Sequence, residues 1–156
     1  MNEDALESIY NYRRLSDLIA TAGQPTEEEL VSVAKADFEI VVNLGLHDAE
    51  YSLPDERKTV ESLGMSYVHI PVAWERPTRT DLEDFFKVMD ELAAQRVFVH
   101  CAANKRVSVF MALYRQLRQG CSPDATMPDV LAIWEPDTVW EEFMKMAQQH
   151  VSGHGN

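Results

Sequence analysis

Apolar positions along the chain follow two different periods, and each change of period marks a new element. Val97, Phe98 and Val99 form an unbroken β-favouring run that ends at His100-Cys101, the pattern of a fully buried strand. From Arg106 the apolar residues Val107, Phe110, Met111, Tyr114 and Leu117 fall at i, i+3, i+4, i+7 and i+10. That stripe is a helix, closed by Arg115 and Arg118 in its last turn and by Gly120 beyond it. Phe38 to Leu44 and Ser66 to Val72 are further continuous strand-like runs, and Leu18 to Thr21 is a shorter one. Helical patterns lie between them. Thr26 with Glu29 reads as a capping box opening a helix to about Lys35, and Ser52, Pro54 and Asp55 start a helix that Gly64 stops. Thr80 with Glu83 opens a helix whose stripe is Leu82, Phe85, Phe86, Met89, Leu92 and Ala93. Thr138 with Glu141 opens a last one carrying Val139, Trp140, Phe143, Met146 and Ala147. Residues 1–12 read as a short helix, Cys121 to Met127 as a turn-rich connector, Asp129 to Trp134 as a short helix, and 152–156 as a loose tail.

Strands alternating with helices predict an α/β fold, an open and mostly parallel sheet of about four strands with helices on both faces. At 156 residues and 46% hydrophobic content the chain is read as a single domain with a proper core. In such sheets the site lies at the carboxyl ends of the strands, which here assembles the loops His47 to Glu50, Trp74 to Arg79 and Ala102 to Lys105. Charge narrows the partners. With 14 Lys and Arg against 26 Asp and Glu, the formal charge of -12 repels nucleic acid and anionic membrane surfaces. The start MNEDALES lacks the basic and apolar regions of a signal peptide, no stretch is long and apolar enough for a span, and of the two cysteines, Cys101 and Cys121, the first sits where a disulfide would cost a reactive thiol, which suits a reducing compartment. A cytoplasmic protein is expected; oligomeric state is not legible in the sequence.

The chemistry concentrates at Cys101. A strand delivers this thiol to the start of a helix, where backbone N–H groups and the helix dipole favour a thiolate and bind an anion. Ala102 and Ala103 keep side-chain bulk out of the intervening loop, and Asn104 tolerates the left-handed conformation that tight anion-binding loops require. Lys105 adds positive charge. Arg106 carries a planar fork that can take two equatorial oxygens of a phosphoryl group, and Ser108 is positioned to hydrogen-bond a departing thiolate. His100 reads as a structural residue holding the loop through a hydrogen bond.

VHIPV followed by VFVHCAANKRVS resembles the cysteine-dependent protein tyrosine and dual-specificity phosphatases, over roughly Leu15 to Gln119. Their signature places five residues between Cys and Arg; here four separate Cys101 from Arg106. Aligned without a gap, Asn104 takes the family's Gly place, Ser108 its Ser or Thr place, and Val107 stands where the Arg should be. A bacterial phosphatase-like family, often associated with β-lactamase-like hydrolases, is more similar because its spacing is also four. The resemblance implies a three-layer phosphatase-like fold, a phosphorylated small molecule or phosphoprotein as substrate, a phosphocysteine intermediate, and no metal or organic cofactor. It also implies a carboxylic acid on the loop after Ser66 to Val72. Glu75 is the candidate there, while Asp81 reads as a complement to its helix dipole. Trp74 reads as the anchor of that loop. Three alternatives stay open: rhodanese-like sulfur transfer through a Cys101 persulfide, favoured by the short loop; a phosphate-binding module without turnover; and Cys101 as a small buried hydrophobe.

Overall fold

The computed structural model describes residues 5–154. Five strands form one sheet: β1 (Arg13–Arg14), β2 (Ile19–Ala22), β3 (Ile40–Asn43), β4 (Ser66–His69) and β5 (Val97–His100). Their order is β1-β2-β5-β3-β4, with β1 antiparallel to β2 and every other pairing parallel. The fold is thus the expected open, mostly parallel sheet. Its fifth strand, β1, spans two residues and is too short to leave a periodic signal in the sequence. It joins β2 by a hairpin rather than a helical crossover, which explains its antiparallel direction.

Six helices that lie wholly among the described residues cover the sheet: α1 (Glu27–Lys35), α2 (Glu56–Ser62), α3 (Arg79–Glu91), α4 (Lys105–Arg118), α5 (Pro123–Leu131) and α6 (Thr138–His154). Strand side chains alternate between two cores. Ile40, Val42, Val97 and Val99 pack with α3, α4 and α6, whereas Ala20, Ala22, Val41 and Phe98 pack with Leu6, Ile9, α1 and α2. Both faces of every central strand are therefore dry, which is why the strand runs are continuously apolar rather than alternating. The helix α4 is enclosed further. All nine residues from Arg106 to Tyr114 are buried, because the sheet, α3, α5 and α6 surround it.

Several boundaries differ from the sequence reading, each for a local reason. The box of α3 is Thr78 with Asp81, not Thr80 with Glu83: Thr78 Oγ1 accepts from Asp81 N at 3.0 Å, and Asp81 Oδ2 accepts from Thr78 N at 3.3 Å. Two overlapping Thr-x-x-acid patterns are indistinguishable until the preceding loop fixes where the chain turns. The expected connector Cys121 to Met127 is instead the start of α5, capped by Ser122 with Pro123 at its first position, and α5 ends at Leu131. Pro128 inside that helix is what disguised it. Asp137, not Thr138, caps α6 through Trp140 N at 3.0 Å. Of the expected N-terminal helix, residues 1–4 lie outside the described part; Ala5 and Leu6 are helical, turns follow, Leu6 and Ile9 are buried, and Tyr10 is exposed. Among the described residues no helix is long and apolar enough to cross a membrane.

The corrected box is directly testable. Thr78→Ala should cost about 0.5–2 kcal/mol in urea unfolding, while Thr80→Ala should stay within about 0.5 kcal/mol. The reverse ranking would restore the other box.

Candidate active site

Strand β5 runs between β2 and β3, and Ile19 to Ala22 and Ile40 to Asn43 pair with all four of its residues. The chain can leave the sheet only past its carboxyl end. There the alternation of a strand puts His100 on the α2 side and Cys101 on the α4 side, where Cys101 joins the α3/α4 core with 0% exposure. No hydrogen bond to Cys101 Sγ is formed by the described residues.

The loop between Cys101 and α4 is shaped by its carbonyls. Cys101 O lies 3.3 Å from His100 Nδ1, Ala102 O accepts from Gln24 N at 2.9 Å, and Ala103 O accepts from Asn11 Nδ2 at 2.9 Å. A trans peptide is planar with its N–H opposed to its C=O, so gripping three successive carbonyls from outside turns the N–H groups of Ala102, Ala103 and Asn104 the other way. Asn104 closes the turn in the left-handed region, with φ 64°, as expected for its place. Its Nδ2 donates to Asn11 O (2.9 Å) and Thr21 Oγ1 (3.0 Å) rather than capping the helix. Gly23 is required beneath the loop: a Cβ there would stand 2.7 Å from Ala102 O and 2.8 Å from Tyr10 Cδ2.

Arg106, in the first turn of α4, is 4% exposed and spans two other loops. Its Nη1 donates to Val72 O (2.7 Å) and its Nη2 to Tyr51 Oη (3.2 Å), so two of its five N–H donors are engaged. Val107, in the place of the phosphatase Arg, is wholly buried in the α4 core. Ser108, expected to serve the thiolate, instead donates to Lys105 O (2.7 Å) and accepts from Trp134 Nε1 (3.0 Å). The ammonium of Lys105 lies over the rings of Trp74 (6.0 Å) and Trp134 (5.6 Å), which orient it. Trp74 anchors its loop as expected: its ring packs 5.3 Å from Trp134 and 5.6 Å from Trp140, whose Nε1 donates to Trp74 O. Glu75, at the turn beside it, is exposed and free of side-chain hydrogen bonds among the described residues. Asp81 belongs to the α3 capping box.

Sequence reading missed Gln24, Tyr51 and Glu56. Glu56, the first residue of α2, is buried, with Oε2 2.5 Å from His100 Nε2 and Oε1 accepting from Gln24 Nε2 at 2.9 Å. Burial pushes its pKa up, but the charge and hydrogen bond of His100, the Gln24 amide and the charge of His47 outweigh burial and hold it below the usual carboxylate value. The pair therefore stabilises the fold at neutral pH, and that contribution is lost as pH falls through the folded-state value. Beside it His47 stacks on His69 with centroids 3.6 Å apart, and burial followed by the His47 charge depresses His69.

A buried thiol at a strand end, a loop with its carbonyls hydrogen-bonded, and a buried Arg106 in the first turn of the next helix form the candidate site. Residues 8–152 match the family model described as a DSP-PTPase phosphatase fused to NAD+ kinase. The chain belongs to this family. A putative phosphatase (DUF442) from Shewanella putrefaciens is similar in two crystal structures: 32% identity with 94% of each chain covered and a TM-score of 0.80, and 28% identity with 95% of this chain and 97% of that one at 0.84. The core catalytic domain of the PP-IP phosphatase SIW14 from S. cerevisiae shares the fold at 15% identity, with 94% of each chain covered and a TM-score of 0.73. A β-lactamase hydrolase-like protein from Xylella fastidiosa is 24% identical over 102 residues, 64% of this chain and 23% of that protein. The match thus spans about a quarter of that relative.

If the family loop depends on outward carbonyls, Gly23→Ala should deform it. The added methyl must displace Ala102 O or Tyr10, and urea unfolding should report a loss of about 1–3 kcal/mol. Unchanged stability would show that the contact relaxes freely.

Proposed function

We propose that the protein is a cysteine-dependent phosphatase that hydrolyses a phosphate monoester through a Cys101 phosphocysteine. The observation that supports it best is the loop itself, whose Cys101, Ala102 and Ala103 carbonyls are all taken up by neighbours at the head of α4, so that the N–H groups of the same planar peptides face the opposite way. In this reading a tetrahedral dianion sits above Cys101, held by those N–H groups and by the three remaining donors of Arg106. Cys101 Sγ attacks phosphorus, the bond to the leaving oxygen breaks, and that oxygen takes a proton from Glu75. Water, giving its proton to Glu75, then attacks phosphorus and releases the thiolate and inorganic phosphate. By holding Val72 O, Arg106 ties the bound oxyanion to the base of the loop that carries Glu75.

The substrate is a phosphorylated small molecule or a phosphoprotein, and the site is cytoplasmic. The cation pair Lys105 and Arg106 supplies local attraction that the acidic surface otherwise denies to phosphates. The family relatives named as phosphatases support this class, and SIW14 is named for PP-IP substrates. A second reading, phosphate binding without turnover, draws on Glu75, which is exposed and whose carboxylate no hydrogen bond among the described residues aims at the loop.

Two experiments separate the readings. Cys101→Ser should abolish hydrolysis of a generic aryl phosphate but keep phosphate binding, whereas Arg106→Lys should weaken phosphate roughly tenfold or more, an ammonium lacking the bidentate fork. Undiminished turnover in the serine variant removes Cys101 from the mechanism. Glu75→Gln should slow alkyl phosphates by roughly 10²-fold or more while sparing aryl phosphates with good leaving groups. A uniform small effect would leave solvent as the proton donor.

A further inference from the structure

Among the described residues, the proposed steps use no group on the α2 side of β5, yet the most enclosed ionic contact lies there. His100 and Glu56 side chains are 0% and 2% exposed, and their contact of 2.5 Å is flanked by Gln24 on the other carboxylate oxygen. The same two partners reach the loop. His100 Nδ1 faces Cys101 O at 3.3 Å, and Gln24, through its backbone N, holds Ala102 O at 2.9 Å. One carboxylate therefore fixes two arms ending on consecutive carbonyls.

Those carbonyls belong to the peptides whose other ends are the N–H groups of Ala102 and Ala103, so the arms set the direction of both donors. Each ring nitrogen of His100 faces an oxygen, Nε2 that of Glu56 and Nδ1 that of Cys101, so the ring is gripped at both ends in a buried place.

We infer that Glu56 is a positioning residue for the Cys101 loop: through His100 and Gln24 it keeps the Cys101 and Ala102 carbonyls outward and the following N–H groups aimed at the thiolate and its anion. The inference rests on the phosphatase reading of that loop. It assigns Glu56 no contact with substrate. The groups facing Glu56 are His100 of β5, Gln24, His47 after β3, and Tyr67 and His69 of β4, with Asp55 and Arg57 beside it on α2.

The test is Glu56→Gln in the full chain, with folding checked by circular dichroism. The Cys101 thiolate is titrated by ultraviolet absorbance against a Cys101→Ser blank, which removes Cys121 from the signal. Loss of a nearby negative charge acting through space would lower the thiolate midpoint; loss of the aligned donors raises it. The expected result is a raised midpoint and roughly tenfold or greater weakening of inorganic phosphate, the scale of losing a partner behind a ligand-holding group. An unchanged or lowered midpoint with phosphate affinity intact overturns the proposal. Should Glu56→Gln fail to fold, Gln24→Ala keeps the His100 contact and the backbone N–H on Ala102 O but cuts that arm's link to Glu56, and unaltered phosphate affinity there also overturns it. If wild-type protein binds no phosphate, the phosphatase reading falls on its own. The amide resonances of Ala102 and Ala103 then decide: unshifted in Glu56→Gln, they overturn the positioning role, and displaced, they uphold it.

Discussion

Both edges of β5 are hydrogen-bonded, to β2 on one side and β3 on the other, and this confinement governs the rest of the molecule. A strand held that way cannot slip or turn within the sheet, so its last residues are delivered to one place. The two-residue period of the strand then separates neighbours in sequence. Cys101 falls on the α4 side, where it joins the core, and His100 on the α2 side, where it meets Glu56.

Beyond the end of β5 the constraint becomes one of backbone polar groups. Three peptides must turn sharply in a buried place, and each carbonyl has to find a donor. Glycine at position 23 lets a neighbouring strand end approach closely enough to supply one, Asn11 supplies another, and His100 the third. Satisfying the carbonyls from that side leaves the N–H groups of the same planar peptides directed the other way. Asn104 in the left-handed region is the residue that lets the turn end in a helix.

Helix α4 carries the charge into the core. Its enclosure by α3, α5, α6 and the sheet leaves Arg106 only 4% exposed, and the guanidinium is held by Val72 O and Tyr51 Oη. Three segments distant in sequence are joined at that one group. Tryptophans 74, 134 and 140 pack against each other around the same end and orient Lys105, so cationic groups are fixed within a chain of net charge -12.

By itself the sequence determined the elements whose signals are local: the continuous apolar runs of β3 and β5, the Thr26 and Glu29 box of α1, the stripe of α3, the left-handed Asn104 and the strand-loop-helix that presents Cys101. These arise from side-chain period and backbone sterics over a few residues. Tertiary structure alone decided which of two overlapping boxes caps α3, that Ser122 and Pro123 open a helix despite Pro128, and that Ser108 faces Trp134 instead of the thiol. It alone also brought Glu56 to His100, 44 positions away, and Tyr51 to Arg106, 55 positions away. No periodicity records such pairs, because a buried charge is made tolerable by a partner that the chain reaches only after the sheet has formed.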